Sequence, residues 1–336
     1  MRVVRRLLGF IAAVVLLGAG VALAWLHHPM GQAVSLLDLS IEPGMTPRAV
    51  AQASADAGLD VDPSWLFLWF RLSGQSRKIK AGSYEIAAGT TPWQLLSKLA
   101  RGEASLRAVT LVEGWNFRQV REALARADQL KPTTSGLSNE AIMAALGRAG
   151  QHPEGRFFPD TYTYSKGASD LSVLQRAARA MDRQLQAAWA QRRADIVLGT
   201  PEEALILASV VEKETGRAAD RALIAAVFQN RLRRGMLLQT DPTVIYGMGE
   251  RFDGNLRRRD LLADTPYNSY TRGGLPPTPI AMPGKAALLA AVQPANSPAL
   301  YFVARGDGSS AFSETLNEHN RAVNIYQRRG APASAQ

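Results

Sequence analysis

Three kinds of hydrophobic pattern follow one another along the chain. The first is Leu7–Leu26, about 20 residues without a charge, the length that crosses a hydrocarbon core of about 30 Å. The second recurs three times: an apolar strand end, a glycine turn, an N-cap residue, then apolar positions at helical spacing. Ile41–Pro47 leads into a helical run to Ala57, Ile86–Pro92 into Trp93–Arg101, and Leu111–Phe117 into Arg118–Ala127. Thr46, Thr91 and Asn116 suit the N-cap, and Pro47 and Pro92 suit the first helical position. Leu95, Leu96 and Leu99 mark the inward face of the second helix, and Val120 and Leu124 that of the third. Trp65–Leu72 predicts a further helix, and Lys78–Ile86 has the partial alternation of a strand. Together these predict a small α/β module over Ile41–Ser105, either a module that binds or positions something or a plain spacer.

The third pattern is a helix apolar on nearly every side, Thr200–Gly216. Thr200 is its N-cap, Pro201 its first residue, and Glu203 stands where a capping box needs it. Ala204–Val211 carries no charge and a single hydroxyl, Ser209, so the helix is expected to be buried. Around it the pattern predicts helices to about Leu146, an ordered loop or hairpin over His152–Tyr164, one long helix over Leu171–Leu198 and another over Ala218–Arg234. Gln239–Glu250 and Thr265–Pro277 read as long ordered loops. Lys285–Val292 reads as a helix, Leu300–Ala304 as a strand, Gly306–Ser309 as a turn and Glu314–Arg328 as a closing helix. The tail from Gly330 reads as disordered. The fold class is α+β, organised as residues 1–6 before the membrane, an anchor at 7–26, a linker at 27–40, the module at 41–105, a larger domain at 106–330 and a tail at 331–336.

Charge and composition place this architecture. The net charge of +10 suits an anionic neighbour such as phospholipid or an acidic wall polymer. Nucleic acid fits least, because the basic residues are scattered and no recognition motif accompanies them. Arg2, Arg5 and Arg6 precede the apolar run, so the positive-inside rule puts them in the cytoplasm and everything after Leu26 outside. The alternative is a cleaved signal peptide, with Ala22-Leu23-Ala24 as the cleavage site. The chain has no cysteine, which excludes a thiol nucleophile, a disulfide framework and a Cys-ligated metal. Its four histidines lack zinc-site spacing, and neither a GxSxG elbow nor a P-loop occurs, so no metal or other cofactor is expected.

Carboxylate chemistry remains. Glu212 and Glu214 close the apolar helix, and burial there raises a carboxyl pKa in the direction a general acid needs. They can equally be solvated last-turn residues paired with Lys213 or Arg217. Tyr246, Tyr267 and Tyr270 can stack on sugar faces, and Asn230, Gln239 and Asn268 can hydrogen-bond hydroxyl or acetamido groups. Half-buried packing residues and core amides are the other reading of the same side chains. A glycosidase ordinarily uses two carboxylates, and Glu214 and Asp241 are the candidates for the second.

Several long segments resemble the YceG-like (MltG) family of endolytic murein transglycosylases. They are Ala208–Thr215 (ASVVEKET), Phe228–Leu232 (FQNRL), Leu238–Phe252, Tyr267–Ile280, Tyr301–Phe312 and His319-Asn320, with Glu154–Tyr162 (EGRFFPDTY) upstream. The resemblance runs from about Ile41 to Gln327. It implies a LysM-like module ahead of a catalytic domain, and peptidoglycan glycan strands as substrate. The reaction it implies is non-hydrolytic cleavage of the MurNAc–GlcNAc β-1,4 bond, leaving 1,6-anhydro-MurNAc ends. It makes Glu212 the catalytic residue; Glu214 and Asp241 are then expected to be structural or substrate-orienting, and Asn230, Gln239, Tyr246, Tyr267, Asn268 and Tyr270 stay the candidates for holding the sugars. It also implies peptidoglycan synthases as partners, single-pass anchoring in the inner membrane with the C-terminal domain outside, and termination of nascent strands. Two alternatives stand beside it: a non-catalytic wall-binding scaffold, and a hydrolytic glycosidase using Glu212 with Asp241.

Overall fold

The structure, a computed structural model, describes residues 2–42 and 44–328, so the tail read as disordered falls outside the described residues. The chain forms two compact units, Met1–Arg107 with Asp128–Leu130 and Thr163–Ala168, and Ala108–Ala127 with Lys131–Tyr162 and Ser169–Gln336.

The first unit opens on α1 (Arg2–His27), whose span Gly9–His27 is long and apolar enough to cross a membrane. There follow β1 (Gly31–Gln32), β2 (Leu36–Ile41), α2 (Pro47–Asp56), β3 (Leu59–Asp60), α3 (Pro63–Leu72), β4 (Gly82–Ala87) and α4 (Pro92–Arg101). The stretch read as a linker thus contains two strands. The reason is a period-two pattern: Leu37, Leu39 and Ile41 point inward while Asp38 and Ser40 point out. β2 pairs antiparallel with β4, setting Leu39 opposite Tyr84, and β1 pairs antiparallel with β3. Each helix is started by a side chain that takes up free backbone N–H groups: Thr46 for α2, Asp62 for α3, and Thr91 with Gln94 as a full capping box for α4. Leu66 and Phe70 of α3 and Leu95, Leu96 and Leu99 of α4 close the core over the sheet.

β5 (Leu106–Thr110) and later β6 (Thr161–Ser165) carry the chain across the boundary between the units. The second unit holds α5 (Phe117–Arg126), α6 (Asn139–Ala145), α7 (Asp170–Ala190), α8 (Pro201–Glu214), α9 (Ala218–Arg233), α10 (Asp241–Met248), α11 (Arg258–Leu262) and α12 (Lys285–Val292). It ends in the antiparallel hairpin β7 (Tyr301–Ala304) and β8 (Ser310–Ser313), then α13 (Leu316–Val323) and a π-helical turn over Asn324–Arg328. Several elements differ from the sequence reading, which had neither the helix at Arg258–Leu262 nor the strand at Ser310–Ser313. The long helix stops at Ala190, and the closing helix widens to a π turn after Val323. Gln239–Glu250 contains a helix, because Pro242 in its first turn fixes φ without costing a hydrogen bond.

α8 is the central element. Every residue from Ala204 to Val211 is buried, packed against residues of α7, α9 and α12. Burial on all sides explains why no polar stripe interrupts it. Ser209 is the one polar group in the run. Its hydroxyl donates to the Ile206 carbonyl at 2.7 Å and accepts the Ile280 N–H at 2.9 Å, fastening the segment before α12 to the middle of α8. Ser209→Ala leaves that buried N–H unpaired, and the expected loss is about 1–3 kcal/mol of unfolding free energy. Urea unfolding followed by circular dichroism reads it as a lower midpoint at unchanged slope; an unchanged midpoint would show that the hydroxyl bridge contributes nothing.

Candidate active site

Glu212 stands where two helix ends meet. It lies in the last turn of α8, half-buried, and its Oε2 accepts the N–H of Gly284, the N-cap of α12, at 3.0 Å. The α8 dipole disfavours a negative charge there, whereas the α12 N-terminus favours one. Burial is the largest influence and raises the pKa of Glu212. The Gly284 N–H acts against it, the nearby Glu113 carboxylate adds to it, and Arg221 and Lys213 oppose it more weakly. The net direction is upward, toward a carboxyl that keeps its proton to higher pH.

Glu113 comes from the glycine turn before α5. Gly114 takes a φ of 76°, a conformation that suits glycine. Its N–H donates to the Met282 carbonyl at 2.9 Å, and Met282 N–H donates to the Trp115 carbonyl at 2.7 Å. This two-bond clasp lays the turn along the segment that leads to Gly284. Lys213 Nζ donates to the Gly114 carbonyl at 3.3 Å from the α8 side. The approach is so close that a Cβ on Gly284 would overlap the Glu113 carboxylate. The sequence reading used this segment only as a strand–turn–cap unit and missed Glu113. The available signal was the residue before the turn glycine: proline and alanine in the first two copies of the pattern, glutamate in the third.

A groove of about 970 Å³ runs beside this cluster, its walls including Gly114, Gln119, Glu154, Lys213, Tyr246 and Tyr267. The two tyrosine rings meet edge to face, centroids 4.9 Å apart. Tyr246 Oη donates to Glu154 Oε2 at 3.1 Å, and Tyr267 Oη lies 2.8 Å from Thr278 Oγ1. Glu154 is buried, and its carboxylate also accepts the Phe117 N–H at 3.0 and 3.2 Å, at the start of α5. Burial outweighs these hydrogen bonds and pushes its pKa up to about 7. Glu154 is a second carboxylate that the sequence reading quoted inside a motif without giving it a role. Its flanking Pro153 and Gly155 were the local sign of a constrained position; a Cβ on Gly155 would strike Pro279.

Glu214, Gln239, Asp241 and Tyr270 line a different cavity, of about 560 Å³, together with Arg231 and Tyr301. Thr240 Oγ1 donates to Glu214 Oε1, and Tyr270 Oη donates to Asp241 Oδ1 at 2.5 Å. Burial raises the Glu214 pKa; the Thr240 hydroxyl lowers it and Asp241 adds to the rise. Asp241 is therefore not a loop residue but the first residue of α10. The end of α8 thus divides two cavities, with Lys213 on the wall of one and Glu214 on the wall of the other.

The two asparagines sit apart from both. Asn230 Nδ2 donates to the carbonyls of Ser297 and Ala299 at 2.8 and 3.0 Å, and its Oδ1 accepts from Arg233. Asn268 is fully buried; its amide donates to the carbonyls of Asp260, Leu261 and Ala263 and accepts the Tyr270 N–H. Both fasten backbone segments. Among the described residues no group of three histidines or carboxylates is placed to hold a metal ion.

Comparison with known proteins gives a consistent result. The family model described as the YceG-like family matches residues 39–325. A relative from Bacillus subtilis (strain 168), named endolytic murein transglycosylase, is 32% identical over 265 residues, which cover 74% of this chain and 73% of the relative. One of the same name from Streptococcus pneumoniae serotype 2 is 27% identical over 320 residues, which cover 85% of this chain but only 57% of that relative. A crystal structure of a yceG-like protein from Listeria monocytogenes superposes with a TM-score of 0.53 at 27% identity, over 85% of this chain and 98% of that one.

The elevated pKa of Glu154 has a consequence for stability. A folded-state pKa of about 7, against 4.5 for the free side chain, means that the folded protein holds this proton more tightly than the unfolded chain does. The contribution is complete below the unfolded pKa and is lost as pH rises through the folded one. Over that window the loss amounts to about 3 kcal/mol. Glu154→Gln is expected to flatten this part of the stability–pH curve between about pH 4.5 and 7. Urea titrations at a series of pH values measure it; identical slopes in the two proteins would refute the assignment.

Proposed function

From the premise that this chain belongs to the YceG-like family, we propose that it is a membrane-anchored endolytic lytic transglycosylase, a carbon–oxygen lyase acting on peptidoglycan glycan strands. The relatives' printed names support the reaction class. The observation that carries the residue assignment is Glu212, half-buried with a raised pKa and with one oxygen fixed by Gly284 N–H. That hydrogen bond occupies Oε2 and leaves Oε1 to carry the proton. The protonated carboxyl donates from Oε1 to the glycosidic oxygen of the MurNAc–GlcNAc bond as that bond breaks. The resulting carboxylate then takes the proton from the sugar's own C6 hydroxyl, whose oxygen bonds to the anomeric carbon. One 1,6-anhydro-MurNAc end and one new free hydroxyl result, and no water is consumed. Intramolecular attack supplies the nucleophile at high effective concentration, so a single acid–base group suffices. In this reading Glu113 serves Glu212 through its charge, raising the pKa of the acid and favouring positive charge that develops on the sugar ring. Tyr246 and Tyr267 face the strand in the larger groove, with Glu154 holding Tyr246 in place. Glu214, Gln239, Asp241 and Tyr270 serve a neighbouring part of the strand; Asn230 and Asn268 support the loops. The span Gly9–His27 anchors the chain in the inner membrane with the residues after it outside, residues 41–105 form a LysM-like module, and peptidoglycan synthases are the partners whose nascent strands are terminated.

The products test the reaction. Incubated with peptidoglycan, the full chain in detergent is expected to release fragments with anhydro ends, detected by mass. Glu212→Gln should lower the rate about 10²–10⁴-fold. Reducing ends in place of anhydro ends would make it a hydrolase, the outcome in which Asp241 gains a catalytic part. No product from the unmodified chain would leave a wall-binding scaffold. Glu113→Gln removes a negative charge beside the acid, so the alkaline limb of the kcat/KM profile should move to lower pH; a limb that stays in place would remove Glu113 from the electrostatics of the site.

A further inference from the structure

α3 is apolar on both sides. Leu66 and Phe70 face the core of the first unit, while Trp65, Leu68 and Leu72, at i, i+3 and i+7, form a stripe on the opposite side that is 61%, 41% and 73% exposed. A soluble helix of ten residues normally shows water a polar face. Beside the stripe, Trp69 packs on Trp93 with centroids 5.4 Å apart, and Trp93, itself 46% exposed, stacks on His27 at 5.9 Å. His27 is the last residue of α1, and the preceding Leu26 is buried. The apolar span therefore ends against the aromatic side of this unit. Trp69, Trp93, Gln75 and Arg101 also line a cleft of about 210 Å³. The indole N–H of Trp69 is buried with no hydrogen-bond partner, an orphan donor. Arg71, Arg77 and Lys78 follow the stripe, all exposed, and Arg101 meets Glu103 at 3.4 Å.

We propose that this face of the first unit, Trp65, Leu68, Leu72 and Trp93, docks into the phospholipid surface in which α1 is embedded, with headgroup phosphates beside the cleft and the basic residues. The proposal rests on the reading of α1 as a membrane span. Its warrant is continuity. A span that ends on this unit brings the adjoining face to the headgroup layer, and tryptophans with a flanking cationic rim are the side chains that layer accommodates. The stripe buries apolar surface in the acyl boundary, while Arg71, Arg77 and Lys78 meet phosphate oxygens. Held this way, the first unit is fastened to the bilayer at two places, the span and the face, and cannot swing freely about His27.

The absence of native cysteine makes the test clean. Leu72→Cys, and Gln52→Cys on the exposed side of α2 as a reference, each carry a nitroxide in the full chain. Both are reconstituted in nanodiscs of phosphatidylethanolamine and phosphatidylglycerol. The expected result at position 72 is strong relaxation by oxygen and weak relaxation by a water-soluble nickel chelate, with a ratio several-fold above that at position 52. Adding Trp65→Ser and Trp93→Ser should bring the ratio at 72 toward the reference while the chain stays in the disc. Equal ratios at the two positions in the otherwise unaltered chain overturn the proposal. So does a label that is water-exposed in discs and becomes shielded only when glycan strands are added, which would make the face a sugar platform. A chain that does not enter the discs overturns the anchor, and the docking face with it.

Discussion

A single N–H, that of Gly284, holds one oxygen of Glu212 at the place where α8 ends and α12 begins. Much of the larger unit is arranged to bring those two helix ends together. α8 reaches the site as a rod buried on all sides, so its last turn has a fixed position but its carboxylate is left with little water. α12 contributes the opposite dipole end, which keeps the same carboxylate from being expelled altogether. The outcome is a compromise between desolvation and a directed hydrogen bond, which leaves the carboxyl with a raised pKa.

The compromise depends on close contact elsewhere. The Glu113–Trp115 turn is clasped to Met282 by two backbone hydrogen bonds, and Ser209 fixes Ile280 to the centre of α8. Between them the run from Ile280 to Met282 is held at both ends, two residues short of Gly284, which positions the donor of Gly284. Glycine at 284 is then a requirement of contact, not of backbone conformation: its φ is an ordinary −77°, but the Glu113 carboxylate occupies the place of a side chain.

What could be read in the sequence divides along a physical line. N-caps at Thr46, Thr91, Asn116 and Thr200 were legible because a cap is a local bond, three residues long, made by a few residue types. The burial of Ala204–Val211 was legible because no polar residue but Ser209 interrupts it. The placement of Glu113 and Glu154 was not, since it arises from contacts with residues more than 90 positions away: Gly284 against one, Tyr246 against the other. Asn230 and Asn268 illustrate the converse. An amide on the apolar side of a helix, as at 230, or in a polar loop, as at 268, looks available for a sugar, but each is taken up by backbone carbonyls that only the folded chain brings near. The helix at Asp241–Met248 was hidden by Asp-Pro, which starts a turn and the first turn of a helix equally well.

The two returns of the chain to the first unit also govern the order in which it can fold during synthesis. The first unit includes Asp128–Leu130 and Thr163–Ala168, and Ser83 Oγ donates to the Lys166 carbonyl at 2.7 Å, while Tyr164 Oη donates to the Asp128 carbonyl at 2.6 Å. The ribosome must therefore release more than 60 residues beyond Arg107 before that unit has all its parts. During that interval α1 and the sheet of β2 and β4 are already made, but Ser83 lacks the Lys166 carbonyl to which its hydroxyl donates. The first unit therefore cannot close before the segments Ala108–Ala127 and Lys131–Tyr162 of the second have been made.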